Sequence, residues 1–275
     1  MSSTAADEVA RSLQEIERLA APPPGGPSAP RDGVAAYAHA TRTATYGFLA
    51  ALPLLVVYEL GILLTNTGPR EIRVGADAWL KGLLGSLGVQ GGVLLAAVVV
   101  VIGGVVFWAE RSRCPALRAR YFGGILVESL VYAVGLAFLV SAMVGVLFGA
   151  MSLWPMAMAQ MAQLSLPLQL SLSIGAGLYE ELVFRVILVG GMFLVLQKLM
   201  PDRRVAYAVA AVVGALIFSG VHYIGSLGDP FTLASFTYRF LFGLALNGVF
   251  LLRGFAVAAW THALYDVLVV TGSLG

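Results

Sequence analysis

Long uninterrupted apolar stretches alternate with short, charge-bearing breaks along most of this chain. Seven of them, at about 44–64, 91–109, 122–150, 168–197, 205–224, 231–252 and 254–272, approach or exceed the ~20 residues a helix needs to cross a hydrocarbon core ~30 Å thick. The predicted fold class is therefore all-α: a polytopic transmembrane helical bundle of about seven spans with a cytoplasmic N-terminal tail. Segment 74–88 reads as interfacial, because Asp77 and Lys81 interrupt it. The methionine-rich stretch 151–165 reads as an interface or loop piece.

Composition agrees. Of 275 residues 59% are apolar and only 12% are charged, against about 45–50% and 25% in soluble domains; mean hydropathy is +0.87. A net charge of +2 gives no argument for nucleic acid as a partner, and the single cysteine, Cys114, rules out an intrachain disulfide or a cysteine-based metal site. Residues 1–43 lack a long apolar core and carry Asp7, Glu8, Glu15 and Glu17, so they read as a soluble tail and linker rather than a signal peptide. Within the tail, 4–20 has helical spacing, with Val9, Leu13, Ile16 and Leu19 on one side, and 22–33 is rich in proline and glycine. The tail is a solvated appendage on one reading and a surface-lying or partner-binding helix on the other. Arg111, Arg113, Arg118 and Arg120, then Lys198, Arg203 and Arg204, then Arg253 place three loops in the cytoplasm by the positive-inside rule. Seven spans then put the N-terminus inside and the C-terminus outside.

Charges inside the spans carry the chemistry. The stretch GLYEELVFRVIL sets Glu180, Glu181 and Arg185 in apolar surroundings, at about 2.5–3.5 kcal/mol per charge on insertion scales. Glu181 and Arg185 are four apart and can pair on one helical face. Glu180 lies about 100° around the helix and has no local partner. Phe184, four residues after Glu180, can wall its pocket with apolar surface. Among the three histidines His39, His222 and His262, the last two fall in apolar spans. Phe218 shares a face with His222, and His262 with Asp266. Paired ionisable groups on three spans mark a functional site; the alternative, helix-packing glue, explains any one of them better than all three.

These residues resemble the CAAX prenyl protease and bacteriocin-processing (CPBP, Abi) family of membrane endopeptidases. The family signature is EExxxR, FxxxH and HxxxN or HxxxD in order, here Glu180-Glu181 to Arg185, Phe218 to His222, and His262 to Asp266. The likeness covers about 166–272, so the chain divides into a tail and linker at 1–43, N-terminal membrane helices at 44–165 and a catalytic membrane core at 166–272. The resemblance implies a glutamate-dependent intramembrane endopeptidase in which Glu180 and His222 activate water and His262 with Asp266 assists the oxyanion. It makes Glu181, Arg185, Phe184 and Phe218 structural supports. Asp266 departs from the Asn of eukaryotic prenyl proteases; a carboxylate cannot donate to an oxyanion, so Asp266 is expected either to stay protonated or to orient His262. No cofactor is expected. Were zinc bound, Glu180, His222 and His262 would be its ligands. The implied partners are the lipid bilayer and a membrane-associated polypeptide substrate, and the expected location is a bacterial-type cytoplasmic (inner) membrane.

Rival readings are a proton-coupled transporter, using Glu59, Glu128 and Arg239 as further membrane charges, and a non-catalytic membrane adaptor. The GxSG, GxGD and HExxH signatures of other intramembrane proteases are absent. Gly175 and Gly177 either leave room for an extended substrate or permit close helix packing. One difficulty stands: Glu180 and His222 lie about 25–27 Å from their basic span ends, but His262 only about 13 Å from its own. Some helix must therefore be displaced or broken.

Overall fold

A computed structural model describes residues 33–65, 72–86, 92–111, 116–149, 163–225 and 228–273. The tail helix expected at 4–20, nearly all of the linker and most of 151–165 lie outside the described residues. Those that are described form helices and no strands. In order they are α1 (Val34–Thr41), α2 (Ala44–Thr65), α3 (Gly75–Ser86), α4 (Gly92–Glu110), α5 (Ala119–Phe148) and α6 (Leu166–Glu180). A π-helical segment, Glu181–Gly190, continues into α7 (Gly191–Leu199), followed by α8 (Arg203–Val221), α9 (Leu233–Arg253) and α10 (Phe255–Val270).

Among the described residues five helices are long and apolar enough to cross a membrane: α2, α5, the continuous rod Leu166–Leu199, α8 and α9. The other two predicted spans correspond to shorter apolar helices, Val99–Glu110 within α4 and Phe255–Val270. The protein is a multi-pass membrane protein, and the count of seven is approximate. Its outer faces show what lipid would meet: Val56, Val57, Leu60, Leu63 and Leu64 on α2, and Val127, Val131, Phe138 and Leu139 on α5, are all exposed.

The short helix α10 is the centre of the bundle. Ala256, Val257, Ala258 and Ala259 are each 0% exposed, so successive residues around a full turn are all covered. It packs against α2, α5, α6 and α9. Lipid tails give little hydrophobic drive between helices, so close approach of small residues and interhelical hydrogen bonds hold such a core. Both devices are present. Gly177 lies so close to α10 that a Cβ would sit 2.5 Å from the Ala259 carbonyl oxygen and the Ala263 methyl, and Gly175 packs against the Tyr58 ring. These two glycines therefore serve helix packing. Ser129 Oγ donates to the Val257 carbonyl (3.2 Å), Trp260 Nε1 to Ala50 (2.8 Å) and Asn247 Nδ2 to Ala211 (2.8 Å).

Buried charges outside the signature motifs form separate neutral clusters. On α3, Asp77 is fully buried and accepts from Tyr58 Oη (2.8 Å) and Arg73 Nη1 (3.0 Å). Lys81 and Glu59 complete that cluster at 2.8 Å, so the charges of this helix, too short to cross a membrane, turn inward. Glu128 pairs with Arg253 and accepts from Tyr37 (2.6 Å). Glu110, at the end of α4, accepts from the free N–H groups of Ala44 and Thr45 (2.7 Å each) and so caps α2.

The depth difficulty has a structural answer. Gly254 (φ 83°) turns α9 directly into α10, and a Cβ there would lie 3.3 Å from the Arg42 carbonyl oxygen, just before α2. His262 is eight residues beyond that corner, whereas His222 is nineteen beyond Arg203. Since both face Glu180, α8 begins farther along the bundle axis than α10 does. The π-helical stretch, with its wider turns, also shortens the path from Glu180 to the end of α7.

Candidate active site

Glu180 is the last residue of α6, and the chain widens into the π-helix at the next residue. Runs of π-helix are rare and recur at functional sites; this one differs from the uninterrupted α-helix the sequence predicts. Gly177, one turn before Glu180, seats α6 on α10 and brings the two glutamates beside His262. Glu181 is 0% and Arg185 1% exposed. Their ion pair is formed at 3.0 Å (Nη1 to Oε1), although the hydrogen bond of the guanidinium goes from Nη2 to the Gly243 carbonyl (3.3 Å).

The second arm of Glu181 reaches across helices. Its Oε1 lies 2.7 Å from His262 Nδ1, so one buried carboxylate holds both the arginine and the imidazole. Asp266 lies on the other side of the ring, its Oδ2 3.6 Å from His262 Nε2. The orienting contact expected of Asp266 is thus made at Nδ1 by Glu181. The spacing rule pairs residues along one helix and is blind to a contact 81 positions away.

His222 follows the final residue of α8. Its Nδ1 lies 2.7 Å from the Phe218 carbonyl, and an oxygen there can only accept, so Nδ1 carries the proton and Nε2 is turned inward. Glu180 Oε2 is 3.8 Å from His222 Nε2 and 4.0 Å from His262 Nε2. That oxygen is buried and accepts no hydrogen bond. A carboxylate oxygen so placed departs from the general rule that buried polar atoms are satisfied.

Phe218 is the hub of the apolar wall. Its ring meets Phe184 edge-on at 5.2 Å, His222 at 4.8 Å and His262 at 6.1 Å, with the Arg185 guanidinium 4.5 Å above it. Phe184 therefore touches the site through Phe218. All eight predicted residues, Glu180, Glu181, Phe184, Arg185, Phe218, His222, His262 and Asp266, fall in one region. Sequence reasoning missed Phe242, which packs on His262 at 5.7 Å and on Tyr265 at 4.2 Å. It also missed the Tyr238–Tyr265 hydroxyl contact at 2.8 Å. The signal was available: Tyr238 and Phe242 are four apart on α9. Among the described residues no group of three or more His, Cys, Asp or Glu side chains is arranged to hold a metal ion.

Residues 162–268 match the family model of type II CAAX prenyl endopeptidase Rce1-like proteins. This segment is an Rce1-like domain. It contains every residue of the cluster above, and the match supports a membrane endopeptidase of the CAAX-protease type. Searches of curated proteins and of solved structures find no match.

Proposed function

We propose that the Rce1-like domain hydrolyses a peptide bond in a membrane-associated polypeptide, with Glu180 as general base and without a metal. The observation that carries this reading is the bare Glu180 Oε2 facing two imidazole Nε2 atoms at 3.8 and 4.0 Å. Either gap is spanned by one water making hydrogen bonds of about 2.8 Å to both sides. Glu180 takes one proton as the water oxygen attacks the scissile carbonyl, while His222 Nε2 accepts the other hydrogen bond and aims the lone pair. His262, carrying both ring protons, donates one to Glu181 and offers the other to the oxyanion. Collapse of the tetrahedral intermediate breaks the C–N bond, and the proton held by Glu180 passes to the leaving amine. Asp266 in this scheme balances charge beside His262.

A helical substrate has its amides bonded internally, so it must unwind before water can attack. The segment cleaved is therefore an extended tail or a broken stretch of a membrane-anchored chain. We place the protein in a bacterial-type inner membrane with its basic loops in the cytoplasm, in line with the positive-inside rule. The hydrolytic reading is favoured over a transporter because Glu59, Glu128 and Arg239 each sit in a local ion pair.

The test compares protein termini by mass spectrometry in cells carrying the wild type or Glu180→Gln, with the amount of inserted protein matched. A small set of membrane-associated precursors left uncut in the variant is expected. Identical termini in both strains would refute hydrolysis by Glu180.

A further inference from the structure

His222 stands where a helix offers least restraint. It is the first residue past α8, and a quarter of its side chain is exposed, so packing does not lock it. Helix ends open more readily than helix interiors. Among the described residues its ring is held through Nδ1 to Phe218 and the edge contact with the Phe218 ring, with Glu180 Oε2 3.8 Å from Nε2. Something must fix its backbone, and a chain of contacts does so. The His222 carbonyl accepts from the backbone N–H of Asp229 at 2.9 Å. The Asp229 carboxylate is ion-paired with Arg239 of α9. The same guanidinium donates to Tyr223 Oη (2.8 Å), stacks over the Tyr223 ring (5.2 Å) and donates to Ser235 Oγ. Tyr223 and Ser235 are joined in turn at 2.6 Å. Arg239 is 6% exposed, so its charge is committed to this arrangement.

We propose that Arg239 and Asp229 are positioning residues for His222: their ion pair closes the α8–α9 connection into a clasp that fixes the imidazole opposite Glu180. Arg239 lies outside the three signature motifs, and no spacing rule links it to His222. Its guanidinium contacts Asp229 and Tyr223 in the connection that follows the histidine and Ser235 in the first turn of α9. A forked guanidinium suits this task and an ammonium does not, because three acceptors must be held in fixed directions at once.

The proposal rests on His222 acting with Glu180, so its test needs a readout that survives failure of that assignment. The full chain in detergent micelles is treated with diethyl pyrocarbonate, which modifies accessible imidazole, and the rate at each of His39, His222 and His262 is followed by peptide mass spectrometry. In Asp229→Asn and Arg239→Lys, His222 is expected to react several-fold faster, with His39 and His262 unchanged. The swapped double variant Asp229→Arg with Arg239→Asp is expected to return part of the protection. In cells, cleavage of the precursors that accumulate with Glu180→Gln should fall by up to about 10²-fold in the two single variants, the scale of a misplaced catalytic group. An unchanged His222 rate overturns the proposal. So does equal acceleration at His262, which would mean general loosening. If Glu180→Gln leaves no precursor uncut, the hydrolytic reading fails, and the labelling rates still decide whether the clasp holds His222.

Discussion

Breaking the Glu181–Arg185 pair from one side should cost far more than removing it from both. Both groups are essentially without solvent, at 0% and 1% exposure. Glu181→Leu leaves the guanidinium with only the Gly243 carbonyl at 3.3 Å, and orphaning one member of a buried pair costs about 3–5 kcal/mol. It also strips His262 Nδ1 of its acceptor, worth about 1–3 kcal/mol more. The total is about 4–8 kcal/mol, comparable with the whole stability of many domains. Arg185→Met costs less, about 3–5 kcal/mol at most, because Glu181 keeps His262 as a partner. In the double variant no charge is orphaned by the pair, and only the His262 loss of about 1–3 kcal/mol remains. The two changes should therefore couple by several kcal/mol, the double variant being more stable than Glu181→Leu alone. Unfolding of the full chain by SDS titration in mixed micelles measures the four corners of this cycle. Activity should behave oppositely: the double variant folds yet cleaves nothing, since His262 has lost the group that sets its ring. Additive stabilities, or a double variant that still cleaves, would refute the linkage of arginine, glutamate and histidine through one carboxylate.

Other substitutions separate site from scaffold. Gly177→Ala forces a Cβ to within 2.5 Å of α10 and should destabilise by about 1–3 kcal/mol while lowering cleavage, as read by micelle unfolding and precursor processing. Asp266→Asn should retain cleavage, because Glu181 already orients His262; loss of activity in a folded protein would return the orienting role to Asp266. Glu128→Ala removes the carboxylate partner of Arg253, which keeps the Ala38 carbonyl and Thr41 Oγ1 as acceptors, so it should lower stability by about 1–3 kcal/mol while the folded protein cleaves normally.

Much of this was legible in the sequence because spans and signatures both use local rules. Length and hydropathy mark helices such as α2 and α5 without knowledge of neighbours. The pair at Glu181 and Arg185 follows from four-residue spacing, and the grouping of Glu180, His222 and His262 follows from family resemblance. What escaped was set by contacts distant in sequence. Glu110 capping α2, Arg253 reaching Glu128 and Glu181 reaching His262 each join positions more than 60 apart, and no periodicity carries such information. The π-helix escaped for a different reason: its residues are ordinary helix formers, and nothing in their spacing marks a change of pitch. The placement of α10 escaped because its short apolar stretch fits a core helix and a span equally well.

The charge distribution as a whole also bears on why the site is where it is. A membrane bundle tolerates ionised groups when each finds a partner, and the clusters at Asp77, Glu128 and Asp229 do so within a few residues' reach. Glu181 goes further: one oxygen is ion-paired with Arg185 and hydrogen-bonded to His262. Glu180 alone among these carboxylates keeps an oxygen that is buried, close to two imidazoles and bonded to neither. Packing cannot account for that, since an amide or an apolar residue there would cost the fold less. A general base needs the opposite of a satisfied carboxylate: a free lone pair, held in place by its backbone, with room for one water before it. Glu181 Oε2 and Arg185 Nε are also buried without a hydrogen bond, but of these atoms it is Glu180 Oε2 that faces both imidazole Nε2 atoms, and the helix widens immediately after it, so the atom that the proposed chemistry requires to be free is free.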